Sequence, residues 1–431
     1  MHTGANNNLP IQNLFNLYNS NNFKKLEKEC YKLIKGNVRS QSIYNLLGVS
    51  LTKQFKLKKA INIFKCSLDI NADNTDTLIN LGLAQKEAQL FKEAENSYKK
   101  AIEINPNSFE AYINLSELNI NQKKFYEALK HARHASIINT NSAEAFCNIG
   151  NAFAGLQNFI LADQNYKKSL KLYPNSSITR HNYAVNLINL KKFKEAKVIL
   201  EDSFKRKIDI NKSLIDYALC LFELGELDNS FEQHQKSISA LPRNYQPYNN
   251  FGNLLLFLGK VSDAIENYNI AKKLSPNNPL ILYNLARAEN NNKNYAKALE
   301  LCKEALGVNP NFYKALNLAA LIHIGNNRLE YASNCFEEAL KIKPNDNEVL
   351  FNYGQHCIKL ENYEKAIGLL TKAKSNNCPY PELEYYLANA NYNLLGIDDA
   401  IEDFLKILSK KDINKSILLN SLLLLNYSDS L

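Results

Sequence analysis

Apolar and polar positions in this chain follow a helical rhythm broken into short blocks. In residues 75–108 the first block carries Leu78, Leu81, Gly82 and Gln85 on one face, and the second, entered through Phe91, carries Ala94, Tyr98 and Ala101 before Pro106 ends it. The pattern predicts two amphipathic helices folded back as a hairpin. A step of 34 residues from Gly82 lands on Ser116, Gly150, Ala184, Ala218, Gly252, Ala286, Ala320, Gly354 and Ala388, with Gly48 upstream, so every equivalent position is small. The same step from Ala94 meets Ala at every repeat from Ala60 to Ala400 except Ser230, and from Pro106 it reaches Pro174, Pro242, Pro276, Pro310 and Pro344.

Small residues at two fixed positions, an aromatic or aliphatic residue opening each second helix and a closing Pro at this period resemble tetratricopeptide repeats. Thr140, Ile208 and Cys378 stand where the Pro is expected, and the chain has no Trp. The resemblance implies an all-α solenoid of helical hairpins wound as a right-handed superhelix, with first helices lining the concave side. Residues 7–40 read as a degenerate first repeat, residues 41–414 as eleven repeats, and residues 415–431 as the first helix of an unfinished repeat or the start of a following domain. Short side chains suit the small positions because helices approach closely only there.

Composition changes this picture little. A chain of 431 residues would ordinarily suggest several globular domains, but an unbroken repeat grows by adding units around one continuous core. The net charge of +9 is modest for this length, and its lysines are spread over second helices and turns. That reads as a solvated outer face rather than a nucleic-acid track, which needs continuous cationic lining. Eight cysteines without a CxxC pair read as small apolar residues in a reducing compartment, and no membrane span or signal peptide is seen, so the cytoplasm is expected.

The residue two places before each early small residue forms its own series: Asn80, Asn114, Asn148, Asn182, Asp216, Asn250, Asn284, Leu318, Asn352, Tyr386 and Asn420. In a repeat of the resembled kind this position faces the groove. A ladder of amides there can donate to and accept from an extended peptide backbone, with little dependence on sequence. The alternative is that each Asn simply bonds the neighbouring helix. Asp76, Glu110, Glu117, Glu144, Glu348 and Glu382 flank the series against Lys212, Arg287 and Lys314, which makes the groove less basic than the whole chain.

Other chemistry is not arranged. Gly252 to Lys260 ends in Gly-Lys without phosphate-loop spacing, and His131 and His134 share a face without a third ligand, so neither a nucleotide nor a metal is expected and no cofactor is assigned. A carboxylate clamp for a chaperone C-terminus fails as well: Asn249, Asn250 and Asn253 are followed by Arg287, but the flanking lysines are missing. The segment SLLLLNYSDSL at 421–431, together with the Asn series, resembles the tetratricopeptide region of O-GlcNAc-transferase-like, SPINDLY-like glycosyltransferases. Two functions follow as expectations. The chain is a non-catalytic scaffold gripping a protein or extended peptide, or it is the substrate-recognition part of a larger protein O-glycosyltransferase.

Overall fold

The computed structural model describes residues 8–207, 210–395 and 404–407. Their regular structure is helix alone: a run of helices α1 to α23, of which α1 to α22 pair as hairpins, and a helical turn at 404–407. The first pair is α1 (Asn8–Asn19) with α2 (Phe23–Lys35), and the repeat of 75–108 is α5 (Thr75–Glu87) with α6 (Phe91–Ile104). The chain divides into two compact units, residues 1–230 and residues 231–431. Residues 415–431 lie outside the described part.

Several first helices start at a side-chain cap, although those at Gln41–Lys53 and Tyr313–Gly325 do not. Asn74 accepts from the Thr77 amide at 2.8 Å, and Ser108, Ser142, Ser176 and Asp346 do the same at equivalent places. Such caps satisfy amide donors that the helix itself leaves unmade. The turn into each second helix has a different requirement. At Asn21 and every 34th residue after it as far as Glu361, φ lies between +54° and +76°, yet only Gly225 and Gly259 among these are glycine. The turn is held by backbone bonds such as Lys124 N to Asn119 O at 2.8 Å, which satisfy carbonyls at the helix end and offset the cost of a left-handed side-chain residue.

Packing inside each hairpin is a match of sizes. A Cβ built on Gly48, Gly82, Gly150 or Gly252 would stand 2.4, 2.5, 2.7 or 2.7 Å from the ring of Phe64, Tyr98, Tyr166 or Tyr268, the residue sixteen places on. Where that later residue is Ala132, Leu200, His234 or Cys302, the early position is Ser116, Ala184, Ala218 or Ala286 and has room for its Cβ. Ala320 opposite Phe336 and Ala388 opposite Phe404 depart from the match, as does Gly354, whose Cβ would stand 2.6 Å from Leu370. Ala298 lies fully buried at the second small position. Ala298→Leu is expected to destabilise by roughly 1–3 kcal/mol through overpacking; a variant with the parent's thermal midpoint would show that the site is not closely packed.

Within the unit of residues 1–230, first helices touch from one repeat to the next: α3 (Gln41–Lys53), α5, α7 (Phe109–Asn121), α9 (Ala143–Gly155), α11 (Ser177–Asn189) and α13 (Ile210–Glu223). The second unit repeats this with α15 (Tyr245–Phe257), α17 (Pro279–Asn291), α19 (Tyr313–Gly325), α21 (Asn347–Lys359) and α23 (Leu383–Leu395). Second helices pack instead against the first helices before and after them. Each unit therefore has an inner face made of first helices.

Candidate functional site

The Asn series lies on these first helices, and its members differ in environment. In the first unit Asn80 is half-buried and lines a cavity of about 510 Å³ with Tyr18, Phe55, Leu83 and Glu87. The Asn114 amide donates to the Glu110 carbonyl of its own helix at 2.8 Å. Asn148 is buried and its Nδ2 has no partner among the described residues. Asn182 donates through Nδ2 to Asn151 Oδ1 of the preceding repeat at 2.8 Å, and Tyr166 donates its hydroxyl to the same oxygen at 2.8 Å.

Asp216 takes the amide's place in α13. Burial pushes its carboxyl up to about 7, and His181 Nδ1 lies 3.4 Å from its Oδ2.

The second unit repeats the cross-repeat bond. Asn284 donates to Asn249 Oδ1 at 2.9 Å, while Asn249 donates to Asn250 Oδ1 at 3.2 Å. Asn352 donates to Asn317 Oδ1 at 3.1 Å, and Asn317 donates to Glu348 Oε1 at 3.0 Å. Leu318 and Tyr386 interrupt the series, and Asn420 lies outside the described residues, as does the Lys212 side chain.

The geometry gives these amides divided work. Asn182, Asn284 and Asn352 each use the NH2 group to tie one first helix to the one before it, and their Oδ1 atoms accept no hydrogen bond among the described residues. A tied amide has a fixed orientation, so its oxygen is a preorganised acceptor for an incoming N–H. Of these amides' partners, Asn151 and Asn317 were not singled out by sequence reasoning, and Asn249 entered it only through the rejected carboxylate clamp. Asn249 and Asn317 occupy one repeat position two repeats apart, and Asn151 and Asn253 occupy another three repeats apart. Tyr268 donates to Asn253 at 2.7 Å as Tyr166 does to Asn151, so a tyrosine fifteen residues on was the signal available for Asn151, whereas Asn249 and Asn317 are followed there by Ala264 and Ala332.

Charge on the inner face of the first unit is acidic. Partial burial and the like charges of Glu117 and Glu110 hold the Glu144 carboxyl above its ordinary range, and Lys86 pairs with Glu117 at 3.0 Å. His131 and His134 lie instead against Tyr112, with ring centroids 6.0 and 5.3 Å away, and burial lowers the His131 pKa. Among the described residues no group of three His, Cys, Asp or Glu side chains is placed to hold a metal ion, and no helix is long and apolar enough to cross a membrane.

Comparison with known proteins agrees with this architecture. Residues 75–108 and 143–176, residues 97–130 and residues 249–311 match tetratricopeptide repeat families, and residues 291–373 match the family described as anaphase-promoting complex, cyclosome, subunit 3. The chain is 24% identical over 238 residues to the BBSome complex member BBS4 of Bos taurus, covering 54% of this chain and 45% of that protein. It is 28% identical over 193 residues to the protein O-mannosyl-transferase TMTC3 of Homo sapiens, covering 43% and 21%. With the TPR repeat-containing protein YpiA of Bacillus subtilis (strain 168) it shares 23% identity over 180 residues, 42% of each chain. The chain thus spans less than half the length of each of these relatives. A crystal structure of the APC/C hetero-tetramer Cut9-Hcn1 superposes with a TM-score of 0.53 at 15% identity, over 96% of this chain and 89% of that one, which is a likeness of fold.

Proposed function

We propose that this chain, an all-α array of tetratricopeptide repeats, is a binding scaffold whose inner face takes an extended segment of a protein partner. The observation that carries the proposal is the tying of amides through Nδ2, which leaves Oδ1 of the half-buried Asn182 in the first unit and Asn352 in the second as oriented acceptors, while Asn284, tied likewise, is buried. An extended peptide presents N–H groups at regular intervals and can meet such acceptors whatever its side chains are. Asn80, Asn114, Asn148 and Asn250 complete the proposed binding face, with Asp216 adding a carboxyl that titrates near neutrality. The chain itself binds rather than catalyses, and its apolar cysteines suit a reducing, cytoplasmic setting.

The test is peptide-array binding by the full chain. Replacing Asn80, Asn114, Asn182 and Asn352 by Ala is expected to weaken capture at least tenfold, while two lost cross-repeat bonds cost only about 1 kcal/mol each in stability. Unchanged capture with reduced stability would mean that the amides only join helices.

A second reading is favoured by the 28% identity to a protein O-mannosyl-transferase. In it, the repeats select substrates for a transferase encoded in the same frame. Sequencing the transcript beyond the Leu431 codon decides it: a continuous frame into a glycosyltransferase domain supports this reading, and a stop codon sinks it.

A further inference from the structure

Because every repeat position has equivalents in the other repeats, a departure at one of them stands out against an internal standard. The outer face of α8 (Phe125–Ile138) departs in this way. Ile137 is 71% exposed, and in every other repeat from Asp69 to Ser375 its position holds Asp, Glu, Lys, Ser or Gly. Tyr126 is 78% exposed, and its equivalent in the next repeat, Ile160, is 67% exposed. Isolated exposed apolar residues need no explanation, but these flank a groove.

Two adjoining hollows run along α8. One of about 330 Å³ is lined by Tyr126, Leu129, Lys130, Arg133, His134 and Ile137, a continuous helical stripe. The other, about 240 Å³, shares Lys130 and His134 and extends to Glu103 of α6 over a floor made by Tyr112 and Leu115 of α7. Lys99 also borders it but is paired with Glu95 at 2.6 Å, a carboxylate it shares with Lys124 at 3.2 Å. Lys130 and Arg133 make no ion pair among the described residues, although the Arg133 guanidinium lies 5.6 Å from the Phe153 ring centroid. The stripe therefore joins apolar ends to unneutralised cations.

We propose that this outer groove docks an amphipathic helix of a partner protein, with acidic residues flanking its apolar edge. Charge complementarity selects the acidic flank, since Lys130 and Arg133 lie midway along the stripe with Glu103 as the carboxylate of the lining. The spacing selects a helix. Tyr126 and Ile137 are eleven residues apart on α8, about 16 Å along the axis, which a parallel helix of about three turns spans with apolar residues at i, i+4, i+7 and i+11. This surface is lined chiefly by second helices, with a floor from α7, and includes none of the inner-face amides, so the scaffold would hold two partners at once.

The probe is a fluorescein-labelled peptide of about eighteen residues with Leu along one edge and Glu on its flanks, titrated against the full chain by anisotropy. Tyr126→Ser with Ile137→Ser, and separately Lys130→Glu with Arg133→Glu, are each expected to weaken binding at least tenfold. A matched peptide with Lys in place of Glu is expected to bind at least tenfold more weakly than the parent peptide. These side chains are exposed, so circular dichroism should show parent-like helix in both double variants, and the Asn80, Asn114, Asn182 and Asn352 variant should keep full affinity. Equal binding of the Lys peptide overturns the proposal, as does binding indifferent to both double variants. Sedimentation showing a dimer of the chain that Ile137→Ser dissolves, with no peptide bound, would assign the face to a second copy and overturn it as well.

Discussion

Tyr268→Ala is expected to destabilise the unit of residues 231–431 by about 3–5 kcal/mol, the range for removing a large buried ring. Tyr268 is fully buried in α16 (Val261–Leu274), its ring stands where a Cβ on Gly252 would come within 2.7 Å, and its hydroxyl donates to Asn253 Oδ1 at 2.7 Å. Truncation opens a cavity against Gly252 and removes the donor from Asn253. A repeat array need not melt in one step, so the measurement is amide exchange in α15 and α16 alongside the thermal scan. The size match gives a sharper form of the prediction. Gly252→Ala should cost about 1–3 kcal/mol in the parent by overpacking, yet gain up to about 1 kcal/mol in the Tyr268→Ala background, where helix propensity is all that changes. A double-mutant cycle with no reversal of sign would mean that ring and glycine do not limit each other.

Asp216→Asn is expected to stabilise the unit of residues 1–230 by about 4 kcal/mol near pH 8 and by little near pH 4. Burial raises the Asp216 carboxyl from 3.8 to about 7, so through that interval the folded chain holds a proton that the unfolded chain has released. Stability on this account is present below about pH 4, falls as pH rises, and is fully lost above about 7. An Asn restores the neutral amide found at most equivalent positions and removes the dependence. Urea unfolding of parent and variant from pH 4 to pH 8 checks it. A constant difference between them across that range would sink the assignment of a raised carboxyl. Because Asp216 belongs to the amide series, the same titration would also alter the inner face that the proposed partner meets.

The hairpins were legible because their determinants are local. Helical spacing around Leu78 and Tyr98, the small residues at Gly82 and Ala94, and Pro106 are all short-range signals, and a fixed period multiplies each of them. The amide series was legible as a position. The division of its hydrogen bonds was not, because Asn182 finds Asn151 thirty-one residues earlier whereas Asn284 finds Asn249 thirty-five residues earlier. No single register in the sequence encodes both pairs. The turn before each second helix was hidden too: a left-handed residue is usually announced by glycine, and here Phe55, Gln89 and Lys123 take that conformation because the two packed helices impose it.

The sequence by itself determined that the chain is helical, repeated and hairpin-built, since amphipathic spacing and close-contact residues act within about thirty-four residues. Only the tertiary structure decided how the amides are used, that burial raises the Asp216 carboxyl, and that the outer stripe of α8 borders a groove. Those properties depend on which side chains neighbouring repeats bring within hydrogen-bonding or desolvating distance. Distance in space, rather than spacing along the chain, sets their energies.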